Sequence, residues 1–177
     1  MISLGNVGTS MHTTMKMAIL GMGACLFASA ARAADPPSTA AVLDKLHNSN
    51  LTEIEAGKLA QDNGHSKATK DYGKMLVSDH TSADNQVRAL AKEEKIDLSA
   101  GTPVVGSSSL AELTAGPAFD HRFARSMVDD HKKAIAEVTK ARDTTTDAKL
   151  KALLTGILPT LEKHESMAES LKKHHKE

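Results

Sequence analysis

Cysteine and aromatic residues are what this chain has least of. Its 177 residues hold one cysteine, no tryptophan, one tyrosine and three phenylalanines. One cysteine excludes an intrachain disulfide, and a chain of this length can build a core without one. The same scarcity excludes a metal site built from several thiolates, and because the single cysteine falls in the N-terminal segment expected to be removed, a metal would have to be taken by histidine, carboxylate or methionine. Acidic and basic residues number 22 each. That balance gives no basic excess for nucleic acid or for a polybasic membrane anchor. Long apolar runs are also missing, since the run from Met17 to Ala30 is too short to span a bilayer.

That run nevertheless has a purpose. It follows Lys16 and leads into Ala31-Arg32-Ala33, with small residues at the two positions a signal peptidase reads. The expected organisation is a signal peptide over 1–33, a short disordered N-terminus over 34–38 and a single domain over 39–174, in a periplasmic or secreted protein. Cys25 follows Met22-Gly23-Ala24, a loose likeness to a lipoprotein acylation site. The apolar stretch Leu26 to Ala31 stands where a polar tether would be, so soluble export is favoured over a lipoprotein at Cys25. Removing Lys16 and Arg32 with the leader leaves 20 basic against 22 acidic residues, a charge of −2, and no cysteine.

Alanine, leucine, lysine and glutamate dominate the rest, a helical composition. Four segments carry the 3.6-residue period. The first spans about Thr39 to Asn63, with Leu43, Leu46, Leu51 and Ile54 on one side and Gly64 as a C-terminal cap. The second, from Ser66 to about Lys95, has Tyr72, Leu76, Ala83, Val87 and Leu90 in a stripe that includes His80. The third starts at Pro117 after Gly116 and reaches Asp143, with His131 in its stripe. The fourth starts near Asp147, carries His164 on its apolar side and should kink at Pro159. Gly64-His65 and Thr144-Thr145-Thr146 are tight links, whereas residues 96 to 116 are long enough to travel along a bundle, with Leu110–Leu113 as one helical turn. Four helices with one long middle connection match the ferritin-like four-helix bundle, with a plain up-and-down order as the alternative.

One pattern occurs twice. Leu76-Val77-Ser78-Asp79-His80 and Met127-Val128-Asp129-Asp130-His131 share apolar-Val-x-Asp-His, each with an aromatic eight residues before the histidine, Tyr72 and Phe123. Both histidines fall near the midpoints of their helices and so at one level. Together with Glu53-Ile54-Glu55-Ala56-Gly57-Lys58-Leu59-Ala60, Phe119-Asp120 and Leu158-Pro159-Thr160-Leu161 followed by His164, the chain resembles the domain-of-unknown-function 4142 family. The resemblance implies a secreted bacterial bundle of ferritin-like fold and names no reaction. An up-and-down bundle would bring His47 to the level of His164, and a crossover would bring Glu55 there. The resemblance favours the crossover, and with it a cluster of Glu55, His80, His131 and His164 with Asp79 and Asp130 beside it.

Imidazole and carboxylate suit zinc, iron, nickel or copper. Met127, one turn before His131, and Met167, three residues after His164, would tilt the choice to copper. The alternative is a structural or protein-interaction module whose buried His/Asp network only specifies which helices pair. A ferritin-like metalloenzyme is disfavoured, because a Glu-x-x-His is absent: Val77, Val128 and Leu161 stand three before the histidines. The expectation is therefore an exported bundle that acts by binding, with a copper or zinc site, no nucleic-acid partner and an envelope protein as the conceivable macromolecular one. Asp44-x-x-His47 is a further local chelating pair.

Overall fold

The structure is a computed structural model and describes residues 37–98 and 116–174. The expected signal peptide over 1–33, Cys25, the expected turn at Leu110–Leu113 and His175 lie outside the described residues. Among the described residues the secondary structure is four helices, α1 (Thr39–Asn63), α2 (Lys67–Glu93), α3 (Phe119–Thr144) and α4 (Ala148–His174), with no strand. None is long and apolar enough to cross a membrane.

Side-chain caps begin three of them. The Ser38 hydroxyl accepts from the Ala41 N–H at 3.2 Å, Ser66 accepts from Thr69 N–H at 3.0 Å, and the Asp147 carboxylate accepts from Lys149 and Leu150 N–H at 2.9 and 3.0 Å. α3 begins two residues later than its proline suggests, because Gly116 at φ +134° turns the chain and Phe119 N–H bonds back to its carbonyl. Gly64 does end α1, but not in the left-handed conformation of a glycine cap. Its backbone is extended at φ −63° and ψ 136°, and glycine is needed there because a Cβ would sit 2.5 Å from the Ala60 carbonyl oxygen. α4 continues through Pro159, which lies on its exposed side.

Contacts at the helix ends settle the topology. Thr39 Oγ1 donates to Asp147 at 2.9 Å, which puts the start of α1 beside the start of α4. Lys149 bridges Glu93 and Glu94 at 2.8 Å each, so α4 starts where α2 ends. The His65 and Ser66 N–H groups donate to Asp120 at 2.8 Å each, so α3 starts where α2 starts. α2 and α3 are therefore parallel and α1 and α4 run the other way, so the end of α2 and the start of α3 lie at opposite ends of the bundle. That is the ferritin-like crossover, not the up-and-down order. Burial opposes ionisation of Asp120, yet the His65 and Ser66 N–H groups together with the Ser66 and Thr69 hydroxyls outweigh it and hold its carboxyl at about 2.

α1 packs along α2 and α3 along α4, and the two pairs meet mainly through α2 and α4. The core has two apolar clusters. One holds Tyr72, Leu76, Phe119, Phe123 and Met127, the other Leu43, Val87, Leu150, Leu154 and Leu161. The α1 face differs from the expected one. Leu46, Leu51 and Ile54 are only partly buried, while Leu43, His47, Asn50, Gly57 and Ala60 form the inward stripe. The 3–4 spacing is intact but polar and small residues carry it. Gly57 and Gly73 explain why small residues are needed: a Cβ on either would lie 2.6 Å from the other's carbonyl oxygen, so α1 and α2 touch backbone to backbone.

Candidate metal centre

Between the apolar clusters lies a layer of polar side chains. His80 from α2, His131 from α3 and His164 from α4 meet there, 5%, 1% and 0% exposed. Their ring centroids are 5.9 Å (His80–His131), 5.2 Å (His80–His164) and 5.3 Å (His131–His164) apart. One ring nitrogen from each lies within 4.8 Å of the others. Tyr72 backs the group edge-on to His164 and donates its phenol O–H to the His164 carbonyl at 3.0 Å.

Each ring is held from outside by a group that accepts. His80 Nδ1 lies 2.9 Å from Asn50 Oδ1, His131 Nδ1 lies 2.9 Å from the Met127 carbonyl oxygen, and His164 Nε2 lies 3.0 Å from Asp79 Oδ2. A carbonyl or carboxylate oxygen cannot donate, so these three nitrogens carry the ring protons. The lone pairs are then left on His80 Nε2, His131 Nε2 and His164 Nδ1. His80 Nε2 is buried with no hydrogen-bond partner, and His131 Nε2 stands 3.3 Å from His164 Nδ1. Two lone pairs facing each other repel unless a proton or a metal cation stands between them.

A proton fits poorly. Burial, then the charges of His164 and His131, pushes His80 well below the ordinary histidine value; burial and His164 push His131 down to about 4, against the Met127 carbonyl. Burial lowers His164 too, although Asp79 works against it. The rings are neutral at neutral pH, the form that coordinates metal, and each has the outer acceptor that orients a metal-binding imidazole.

The sequence-derived residues separate on this geometry. His80, His131 and His164 come together, and Asp79 joins through His164; its side chain is 29% exposed, with Lys163 3.9 Å away. Asp130 accepts from Ser126 at 3.0 Å and bears electrostatically on Glu53 instead. Glu55 is not brought to the triad: it pairs with Lys58 at 2.6 Å on the surface, its side chain 44% exposed. Glu53 is instead the α1 carboxylate that lines a cavity beside His80 and His131, partly buried, and two residues further round an α-helix is about 200° away. Met127 is buried in the apolar cluster, whereas Met167 is 38% exposed. His47 takes Asp84 as its partner at 2.5 Å, both buried, in place of Asp44. Asn50, Glu53 and Asp84 escaped sequence reasoning; the signal for the first two was the 3–4 spacing shared with Leu43, His47 and Gly57.

Glu53 is the odd group of the layer. Its Oε2 is buried without a partner, and burial, reinforced by Asp130, pushes its carboxyl up to about 8. The fold thus keeps a proton that the unfolded chain gives up from pH 4.5 onwards, so this group's penalty on folding grows as pH rises through that window. The lowered histidines act oppositely, and only below their ordinary value of 6.5. From pH 6.5 to 8 the metal-free protein should therefore lose up to about 2 kcal/mol of stability, and Glu53→Gln should remove the slope. Urea unfolding at the two pH values checks this; a slope retained by the variant contradicts it.

A crossover four-helix bundle whose polar centre is built by facing helices belongs to the ferritin-like class. More particularly, the chain belongs to the domain of unknown function DUF4142 family, whose profile matches residues 26–171. No curated protein matches it significantly. Among solved structures it is similar to CopM in the Cu(II)-bound form, with a TM-score of 0.68 and 13% sequence identity, covering 78% of this chain and 98% of that one. At this identity the likeness speaks for the fold.

Proposed function

We propose that this protein is an exported metal-binding protein that holds one transition-metal ion, copper before zinc, through His80 Nε2, His131 Nε2 and His164 Nδ1. The observation that carries the reading is the convergence of three buried lone pairs whose opposite nitrogens are already committed to Asn50, the Met127 carbonyl and Asp79. A network meant only to specify packing would place a donor against each acceptor. Here His131 and His164 set acceptor against acceptor at 3.3 Å. Imidazole suits copper and zinc, and copper leads the affinity order of divalent metals. The Cu(II)-bound state of the similar CopM supports the same choice. Export rests on the apolar run after Lys16 and on Ala31-Arg32-Ala33.

Binding, not catalysis, is the proposed action. The dinuclear carboxylate cage of ferritin-like oxidases needs Glu three residues before its histidines, and Val77, Val128 and Leu161 occupy those positions. Asp79, accepting from His164, would raise the basicity of that ligand. Equilibrium dialysis of the untagged mature chain against copper should leave one ion per chain, held in preference to zinc. No retained copper would overturn the reading.

A further inference from the structure

Three neutral imidazoles leave the charge of a bound ion unbalanced in a buried site, and burial makes an unpaired charge costly. They also leave a fourth position open in a tetrahedral set. An open cavity of about 1150 Å³ adjoins the triad, and His80, His131, Glu53 and Asp130 all line it. Two atoms of this lining are buried with no hydrogen-bond partner, His80 Nε2 and Glu53 Oε2, and His80 is only 5% exposed. Glu53 is absent from the group of side chains whose ligand atoms lie within 4.8 Å of one another. Its carboxyl is therefore not a direct fourth donor; it shares the lining of the cavity with His80 and His131.

Resting on the metal-binding reading above, we propose that Glu53 is the anionic partner of the cation: its carboxylate balances the charge of a divalent ion on the three histidines and accepts a hydrogen bond from an exchangeable water held at the fourth position in the cavity. This gives a reason for a carboxyl in the layer. Without a cation, burial and Asp130 disfavour its charge; a nearby dication acts the other way. The partners facing Glu53 are Asp130 from α3 and Tyr72 from α2, whose phenol is raised by burial and then by the Glu53 charge. Neither offers a positive charge; Lys45, Lys133, Lys140 and Lys163 line the same cavity, but none of them is among the causes that set the charge of Glu53.

The test compares the untagged mature protein with its Glu53→Gln variant, using Cu(II) and Cu(I) in competition with chelators, Cu(II) electron paramagnetic resonance, and the thermal midpoint of each metal-free protein. Glu53→Gln should keep one copper per chain but weaken Cu(II) at least about tenfold, against about threefold or less for Cu(I), and should alter the Cu(II) spectrum. Its metal-free midpoint should be unchanged or higher, since a costly buried acid has been removed. In the unsubstituted protein, azide should perturb the Cu(II) spectrum by entering the fourth position. Equal weakening of both oxidation states with a lowered midpoint would make Glu53 a packing residue and overturn the proposal. So would an unchanged Cu(II) affinity, or a spectrum indifferent to azide. Failure of the unsubstituted protein to take up any copper is a separate result, which removes the metal-binding reading itself.

Discussion

Replacing His80 and His131 together by alanine should abolish tight copper binding, an expected loss of about a thousandfold or more, or at least about 4 kcal/mol. Two of three ligands disappear, and His164 Nδ1 with one neighbouring cavity cannot hold an ion that free imidazole in water would hold as well. Helical content should survive, because the apolar clusters around Leu76, Phe123, Leu150 and Leu154 do not depend on the rings. The metal-free variant should lose about 2 kcal/mol or more from the space left behind and from Asn50 Oδ1, which loses its ring donor. Asp79 keeps its partner, since it is bound to His164 and not to the adjacent His80. Thermal melting with and without stoichiometric copper reads both effects: copper should raise the midpoint of the unsubstituted protein alone. A variant that copper still stabilises would place the ion elsewhere.

The second large effect concerns the approach of α1 to α2. Helix propensity by itself predicts that alanine in place of Gly57 or Gly73, both inside helices, stabilises by about 1 kcal/mol each. The packing predicts the opposite sign. A Cβ on Gly73 would meet the Gly57 carbonyl oxygen at 2.6 Å and Ala60 Cβ at 2.8 Å, and one on Gly57 would meet the Gly73 oxygen at 2.6 Å and Val77 Cγ2 at 2.9 Å. Backbone cannot rotate away as a side chain can, so the helices must separate. Converting both glycines to alanine should cost about 3 kcal/mol or more in urea unfolding, and should weaken copper binding as well, because Asn50 on α1 holds His80 on α2 at 2.9 Å two turns away. A double variant as stable as the parent would show that the helices have room to part.

The four helices and the shared level of His80 and His131 were legible because both follow from periodicity and rise alone. Gly64, the Thr144–Thr146 link and the 3.6-residue stripes marked four helices, midpoint arithmetic put His80 and His131 at one level, and the resemblance, by favouring the crossover, added His164 to them. The inward face of α1 was not legible by the same means. Weighting large aliphatic residues selected Leu46, Leu51 and Ile54, whereas a face pressed against a glycine-lined neighbour accepts small residues, and a face bordering a polar layer accepts His47, Asn50 and Glu53. Choosing Glu55 over Glu53 is the same error seen at one residue, since level along a helix says nothing about rotation around it. The repeated Val-x-Asp-His pattern also suggested equal roles for two aspartates. Their surroundings differ: Asp79 on α2 reaches the adjoining α4 and its histidine, while Asp130 on α3 turns to Ser126 and the cavity it shares with Glu53.

X-ray absorption at the copper edge of the loaded, untagged protein tests the central claim most directly. The account predicts three imidazole nitrogens at about 2.0 Å, completed by one light exchangeable ligand, with no sulfur in the shell because the described helices hold no cysteine and Met167 stands outside the polar layer. A shell with one or no imidazole, or one containing sulfur, would contradict it.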